Sequence, residues 1–403
     1  MIVFYFFAAV AVWIGGLSLR GGFRFYRYIT SLQRLDQHDF TPFVSVIAPC
    51  RGADEGLDMN IRALIHQRYP AFEVIFVTDR DDDPSVAEIE NVMREEPSRQ
   101  TQLIFAGDTV GCGQKVHNLR LATQATSPDT EVLVFVDTDA QPDPDWLRSL
   151  VDPLSDHGLG ATTGYRWFIP VAGGFASHLR SVWNGSIASA LGAREDRNFC
   201  WGGSTAIRKK LFVDLKIEER WRGTVSDDFI LTTVLQENNL PIRFVPECLV
   251  PSFDSCNFFE LLEFSNRQLK ITRTYAPHLW KPLLLGSFLF SVVFFGGLAI
   301  ALISGIRGEP DWLLVALLFI IFALGAIKSY VRLRGVALVL KAHRIELMRT
   351  TLAHLLLWPL ASLLFLVNCV VAGVSNRIEW RGITYELKSP NEAVIIARNP
   401  NSR

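Results

Sequence analysis

The chain has 403 residues, 49 % of them hydrophobic, and 40 Lys+Arg against 41 Asp+Glu give a formal net charge of −1. That balance leaves no global positive field and excludes nucleic acid as an expected partner. The six cysteines (Cys50, Cys112, Cys200, Cys248, Cys256 and Cys369) are scattered without a CxxC pair, which argues against a disulfide framework or zinc ribbon and fits a reducing compartment.

In chain order, residues 1–19 (MIVFYFFAAVAVWIGGLSL) carry no charge and are long enough to span a bilayer. They lack a basic start and a small-x-small cleavage site, so a retained anchor is expected rather than a signal peptide. Arg20, Arg24, Arg27 and Arg34 follow and place the next domain on the cytoplasmic side. Residues 1–27 are thus expected to form an anchor with a basic flank, and 28–282 a cytoplasmic domain.

Within that domain, strands are expected over 43–49 (FVSVIAP), 72–78 (FEVIFVT), 102–107 (QLIFAG) and 132–137 (VLVFVD), and a helix over 56–67. Strands alternating with helices predict an α/β domain with parallel strands, and such sheets bind ligands beyond the carboxyl ends of their strands. Three carboxylate clusters fall at such positions: Asp79 in TDRDDDP, Asp137 and Asp139 in VDTDAQPDPDWL, and Asp227-Asp228 before an amphipathic helix. A spacing of two puts Asp137 and Asp139 on one face of an extended chain. Two hard oxygen ligands suit Mg²⁺ or Mn²⁺, whose other positions go to water and substrate phosphates. The competing readings are ordinary: aspartates are common in turns after strands, Asp81–Asp83 read as a solvated turn, and Asp227-Asp228 could simply cap a helix. The ordered combination of all three clusters favours a site for a metal-bound nucleotide.

Other patterns are weaker. GCG (111–113) lacks the third glycine of a dinucleotide fingerprint, and no HExxH occurs. Trp146 and Trp183 read as core; Trp201, beside Gly202-Gly203, is a candidate sugar-stacking ring, the glycines allowing close backbone approach. Residues 173–191 read equally as an interfacial or a covering helix.

Beyond 282 the chain turns apolar again, over 283–306, over 352–374 and, slightly short for a span, over 312–327. The basic stretch 328–349 belongs on the cytoplasmic side. A spanning 352–374 would send the tail across, against the preference of Arg377 and Arg381, and Pro359 allows a kinked or re-entrant segment instead. Residues 283–374 are therefore expected as a membrane region and 375–403 as a polar tail.

Several stretches resemble the inverting, family-2-like membrane glycosyltransferases of GT-A fold, the ceramide glucosyltransferase group in particular. They are VSVIAPCRGADEGLDMNIRALIHQRYPAFEVIFVTDRDDDPS, GCGQKVHNL (111–119), VDTDAQPDPDWL, WGGSTAIRKKLF (201–212), SDDF (226–229) and RIEWRGITYEL (377–387). The resemblance covers about 40–282 and extends weakly to the tail. It implies that Asp79 contacts the uracil or ribose of a UDP-sugar, with Lys115, Asn118 and Asp137 also on the nucleotide. It further implies that Asp139, with Asp137, binds the divalent cation, that Asp228 beside Asp227 is the general base, and that Trp201, Gly202 and Gly203 face the acceptor. One departure stands out: where the family has (Q/R)-x-x-R-W, this chain has Arg267-Gln268-Leu269-Lys270-Ile271, and Arg273 could take over the charge. Lys lacks the bidentate fork of Arg, and Ile has no flat face. A juxtamembrane stretch touching lipid headgroups is the competing reading of these cations.

The function these features imply is transfer of a single hexose, glucose first among candidates, from a UDP-sugar to a membrane lipid hydroxyl such as that of a ceramide-like lipid, diacylglycerol or a hopanoid. The alternative is a processive polysaccharide synthase, which would need more spanning helices and an intact Q-x-x-R-W.

Overall fold

The computed structural model describes residues 2–32, 40–54, 56–139 and 141–399; Arg34 of the basic flank lies outside them. The chain forms two compact units. An α/β unit takes the described residues of 35–167, 191–252 and 376–403, and a helical unit those of 1–34, 168–190 and 253–375.

The α/β unit is built on β1 (Val44–Pro49), β2 (Phe72–Thr78), β3 (Thr101–Phe105), β4 (Val132–Val136), β5 (Ala161–Phe168), β6 (Ser204–Arg208) and β7 (Ile242–Ser252), in the order β3-β2-β1-β4-β6-β5-β7. β1 pairs in parallel with β2 and β4, and β2 with β3. β6 runs antiparallel to both β4 and β5, so the sheet is parallel-dominated rather than wholly parallel. All five residues of β4 are buried, and helices Leu57–Ile65 and Pro84–Glu95 cover one side through Ile61, Leu64, Ile89 and Val92. A strand covered on both faces has no solvent side on which to alternate, which is why these strands read as continuous apolar runs. Their first polar residues therefore appear where the strands end. This is the GT-A type of α/β architecture that the resemblance implies.

The stretch read as a polar tail folds as a second, antiparallel sheet: β8 (Arg377–Trp380), β9 (Ile383–Ser389) and β10 (Glu392–Arg398), in the order β10-β9-β8. Alternate residues Ile383, Tyr385 and Leu387 are buried, the period of two expected of a one-sided strand.

In the helical unit, Ile2–Ser31, Pro277–Ile306 and Trp312–Val339 are long and apolar enough to cross a membrane. The apolar run 312–327 is thus part of a longer helix that takes in Lys328, Arg332 and Arg334. The segment 352–374 is not one continuous helix. It breaks at Leu357 into Thr351–Leu356 and the 17-residue Trp358–Val374. Pro359 sits in the first turn of the second piece, where a missing N–H breaks no helical bond. The helix Phe175–Ala188 packs as a covering helix of this unit: Trp183 stacks on Phe365 with centroids 4.8 Å apart and sits among Leu261, Leu269 and Leu364.

Candidate active site

β4 ends at Val136 and delivers Asp137 and Asp139 to the carboxyl edge of the large sheet. The Asn60 amide donates to the Thr138 carbonyl at 3.0 Å and fixes the turn. Lys115 Nζ donates to Asp137 Oδ1 at 2.7 Å. A single nitrogen of Arg166, Nη2, donates to Asp137 Oδ2 at 3.4 Å and Asp139 Oδ1 at 2.5 Å. The two carboxylates thus converge on one cationic atom. That donor pair fits Mg²⁺ or Mn²⁺, which take one or two carboxylates and fill the rest with water and phosphate oxygens; Arg166 stands in as a monovalent cation. Among the described residues no group of three or more His, Cys, Asp or Glu converges elsewhere as an all-protein metal cage. Burial alone would raise the Asp139 carboxyl, but Arg166, Arg381 and Lys115 outweigh it and hold it below the ordinary range.

Lys115 lies in the first turn of the helix Gln114–Gln124. The helix start is pressed against the 224–226 loop: Gly113 N–H donates to the Thr224 carbonyl at 2.7 Å, and a Cβ on Gly113 would stand 2.9 Å from Val225 Cα. The contact brings Lys115 Nζ within 3.5 Å of Asp227 Oδ1. Burial would lower the Lys115 ammonium's affinity for its proton, yet the charges of Asp137 and Asp227 raise it above the ordinary value, so it stays protonated. One turn on, buried Asn118 accepts from Gln114 Nε2 at 2.9 Å.

Asp227 and Asp228 open the helix Asp227–Glu237, with Ser226 as its N-cap. Both charges therefore lie at the positive end of the helix dipole. Asp228 Oδ1 accepts from the Ser226 hydroxyl and, at 2.8 Å, from Phe229 N–H, while Oδ2 accepts from Gly202 N–H at 3.4 Å. Asp228 is half-buried and Asp227 buried. Burial pushes the Asp227 carboxyl up to about 6; Lys115 opposes this, and Asp228 and Asp137 reinforce it.

Gly202 and Gly203 make room chiefly for this carboxylate group. A Cβ on Gly202 would stand 2.4 Å from Asp227 Oδ2, and one on Gly203 would stand 2.7 Å from Asp137 Oδ2 and 2.3 Å from the Trp201 ring. Trp201 packs against Tyr165, centroids 5.5 Å apart, and carries the Arg166 guanidinium 5.3 Å from its ring centre.

Asp79, directly after β2, is 2 % exposed and ion-paired with Arg51, and its Oδ1 has no hydrogen-bond partner among the described residues. Asp83 caps the next helix by accepting from Ser85 N–H, and its neighbours Asp81 and Asp82 are exposed, as a solvated turn would be. Arg267, Lys270 and Arg273 belong to the helical unit, on Phe258–Tyr275. There Arg267 lies over Phe264 and Arg273 over Trp280. Burial lowers the Lys270 ammonium.

A pocket with about 110 Å³ of internal space is lined by Cys50, Arg51, Lys115, Asn118, Asp137 and Asp139 and, from the second sheet, by Trp380, Arg381, Ile383 and Tyr385. Burial pushes the Cys50 thiol up to about 12, so it offers no thiolate there. Arg51, Arg166, Arg381 and Tyr385 were not among the residues picked from sequence. Arg166 did leave a signal, as the one charged residue in the apolar strand ATTGYRWF.

The chain is similar to a mannosyltransferase from Pyrobaculum calidifontis solved with GDP-Man and Mn²⁺: 16 % identity, TM-score 0.48, covering 91 % of this chain and 98 % of that one. It is also similar to glucosyl-3-phosphoglycerate synthase from Mycobacterium tuberculosis, solved with Mn²⁺ and UDP-glucose: 16 % identity, TM-score 0.39, covering 58 % and 78 %. Ceramide glucosyltransferase 1 of Caenorhabditis elegans is 19 % identical over 263 residues, 63 % of this chain, so the chain spans about half of that relative's length (55 %). Ceramide glucosyltransferase 3 of the same organism is 33 % identical over 78 residues, 19 % of this chain and 17 % of that relative. The family description reaches much further than these pairwise matches, from the first apolar helix to the second sheet. With residues 3–393 matched, the chain belongs to glycosyl transferase family 21.

Proposed function

We propose that this glycosyltransferase moves a single hexose, glucose first among candidates, from a UDP-sugar to the hydroxyl of a membrane lipid, with inversion at the anomeric carbon. The observation that carries this reading is the convergence of Asp137, Asp139, Lys115, Asp227 and Asp228 at one edge of the sheet, in a family-21 chain with three helices fit to cross a membrane. The similarity to ceramide glucosyltransferases supports a lipid acceptor. The apolar helices before and after the polar segments, with their basic flanks, support a membrane protein whose catalytic unit faces the cytoplasm.

In this reading Asp137 and Asp139 hold Mg²⁺ or Mn²⁺, which when bound neutralises charge developing on the diphosphate leaving group. Asp79 keeps one buried oxygen without a donor among the described residues, the acceptor that a uracil imide N–H needs. Lys115 and Asn118 flank the nucleotide, and Trp201 offers its ring to the acceptor side. Asp228 takes the proton of the attacking hydroxyl. It is the more exposed of the adjacent aspartates, and its carboxylate is aimed by donors from Ser226, Phe229 and Gly202.

The test is a transfer assay on detergent-solubilised protein with a panel of UDP-sugars and mixed lipid acceptors, with added Mg²⁺ or Mn²⁺ against chelator. One sugar on a lipid is the expected product, and a long lipid-free polymer would overturn the reading. Asp228→Asn should lower transfer by at least about 10²-fold, as expected for loss of a general base. Its UDP affinity should remain that of wild type, and lost nucleotide binding would reassign the residue.

A further inference from the structure

The hairpin β8–β9 turns on two residues, Arg381 and Gly382, at φ 49° and 74°. A turn with two positive φ values favours Asn-Gly or Asp-Gly, so the arginine stands there against the turn's own preference. It is also held from several sides. Arg381 Nη1 donates to Asp54 Oδ1 at 2.6 Å and Nη2 to Oδ2, while Arg51 Nε donates to the Arg381 carbonyl at 2.9 Å. The sheet behind the turn is tied to the helix that carries Lys115. The Tyr385 hydroxyl accepts from Gln114 N–H at 3.1 Å, and Arg398 donates to Asp108 and the Thr109 carbonyl at 2.8 and 2.6 Å.

We infer that Arg381 binds the diphosphate of the nucleotide donor, which makes the 377–398 sheet a wall of the donor site. The inference rests on the donor reading above. A nucleoside diphosphate ester brings two negative charges into a cavity that already holds Asp137 and Asp139. Lys115 is engaged by Asp137 and Asp227, and a divalent cation would balance only the two aspartates, so a further cation is needed where the phosphates lie. Arg381 lines that cavity and its side chain is about one-third exposed (35 %). Asp54 occupies two of its five N–H donors and fixes the plane of the fork, leaving three for phosphate oxygens. A strained backbone kept at a cavity wall is the pattern of a functional residue.

The test uses the full-length protein in detergent with Mg²⁺ and measures affinities for UDP, UMP, uridine, GDP and GMP by calorimetry. Arg381→Asn is the informative variant, because Asn-Gly suits the turn while removing the cation together with its pair to Asp54. It should remain folded and lose about 10- to 100-fold in affinity for the diphosphate that wild type binds, the size of a charge-assisted contact. Affinity for uridine should be unchanged. Arg381→Lys should recover part of the loss. Unchanged diphosphate affinity, or an equal loss for nucleoside and diphosphate, would overturn the assignment in favour of a structural clip to Asp54. Wild type binding neither UDP nor GDP would instead remove the donor reading, and this assignment with it.

Discussion

The charge at one residue sets a measurable pH dependence. Asp227 is buried, and its carboxyl is pushed up to about 6 from an ordinary value of 3.8. The folded chain therefore holds a proton that the unfolded chain has released, and stability falls as pH rises from about 4 to 6. Asp227→Asn keeps the shape and removes the titration. It should melt above wild type at pH 7, with the difference vanishing toward pH 4, in thermal scans run in chelator; a constant difference across that range would contradict the assignment. Legibility at this scale depended on residue type. Asp79, Asp137, Asp139, Asp227 and Asp228 stood out because three carboxylate clusters occur in order where apolar strands end or a helix begins. Arg166 and Arg381 were passed over as site residues, although one is the lone charge in its strand and the other lies in a family-like stretch, because their partners lie 27 and 327 positions away in the chain.

At the scale of elements, the helix Gln114–Gln124 is aimed by one close contact. Gly113 lets the helix start touch the 224–226 loop, and that contact sets the distance from Lys115 to Asp227. Gly113→Ala adds a methyl where the nearest atom is backbone, which cannot swing aside. The variant should lose about 1–3 kcal/mol of stability, as overpacked sites do, and bind UDP more weakly than wild type. Normal melting with normal UDP affinity would show that the contact is slack. The first strands were readable in sequence because they are buried on both faces and separated by amphipathic helices. β1, β2 and β4 lie within a residue of their expected bounds. β5 and β6 gave no comparable signal: polar and small residues such as Thr162, Thr163 and Gly164 interrupt β5, and Ser204, Thr205 and Arg208 interrupt β6. The tail read as polar for a related reason. Only alternate residues of β9 face inward, so its mean composition resembles that of a loop.

At the scale of the whole molecule, sequence distance and spatial assembly diverge. The α/β unit is assembled from three separated segments, and its last segment follows every apolar helix. A chain ending at Ser375 keeps those helices but lacks Ile378, Ile383, Tyr385 and Leu387, which are buried in the intact unit. It should extract with detergent like the full chain, show a lower melting temperature and fail to bind UDP in calorimetry. Retained binding would show that the second sheet is dispensable to the nucleotide.

The position of β8–β10 also bears on when a newly made chain becomes competent. The anchor helix Ile2–Leu32 leaves the ribosome first and the first two segments of the α/β unit, up to residue 252, follow; then come the helices Pro277–Ile306, Trp312–Val339 and Trp358–Val374, and only afterwards Arg381 and Tyr385. At translation speeds of about 5–20 residues per second, that interval is on the order of ten seconds. During it, the nascent enzyme has its carboxylates but not the wall of its cavity. On the donor-site reading, a chain built in this order cannot bind sugar nucleotide until the helices Pro277–Ile306, Trp312–Val339 and Trp358–Val374 have been synthesised.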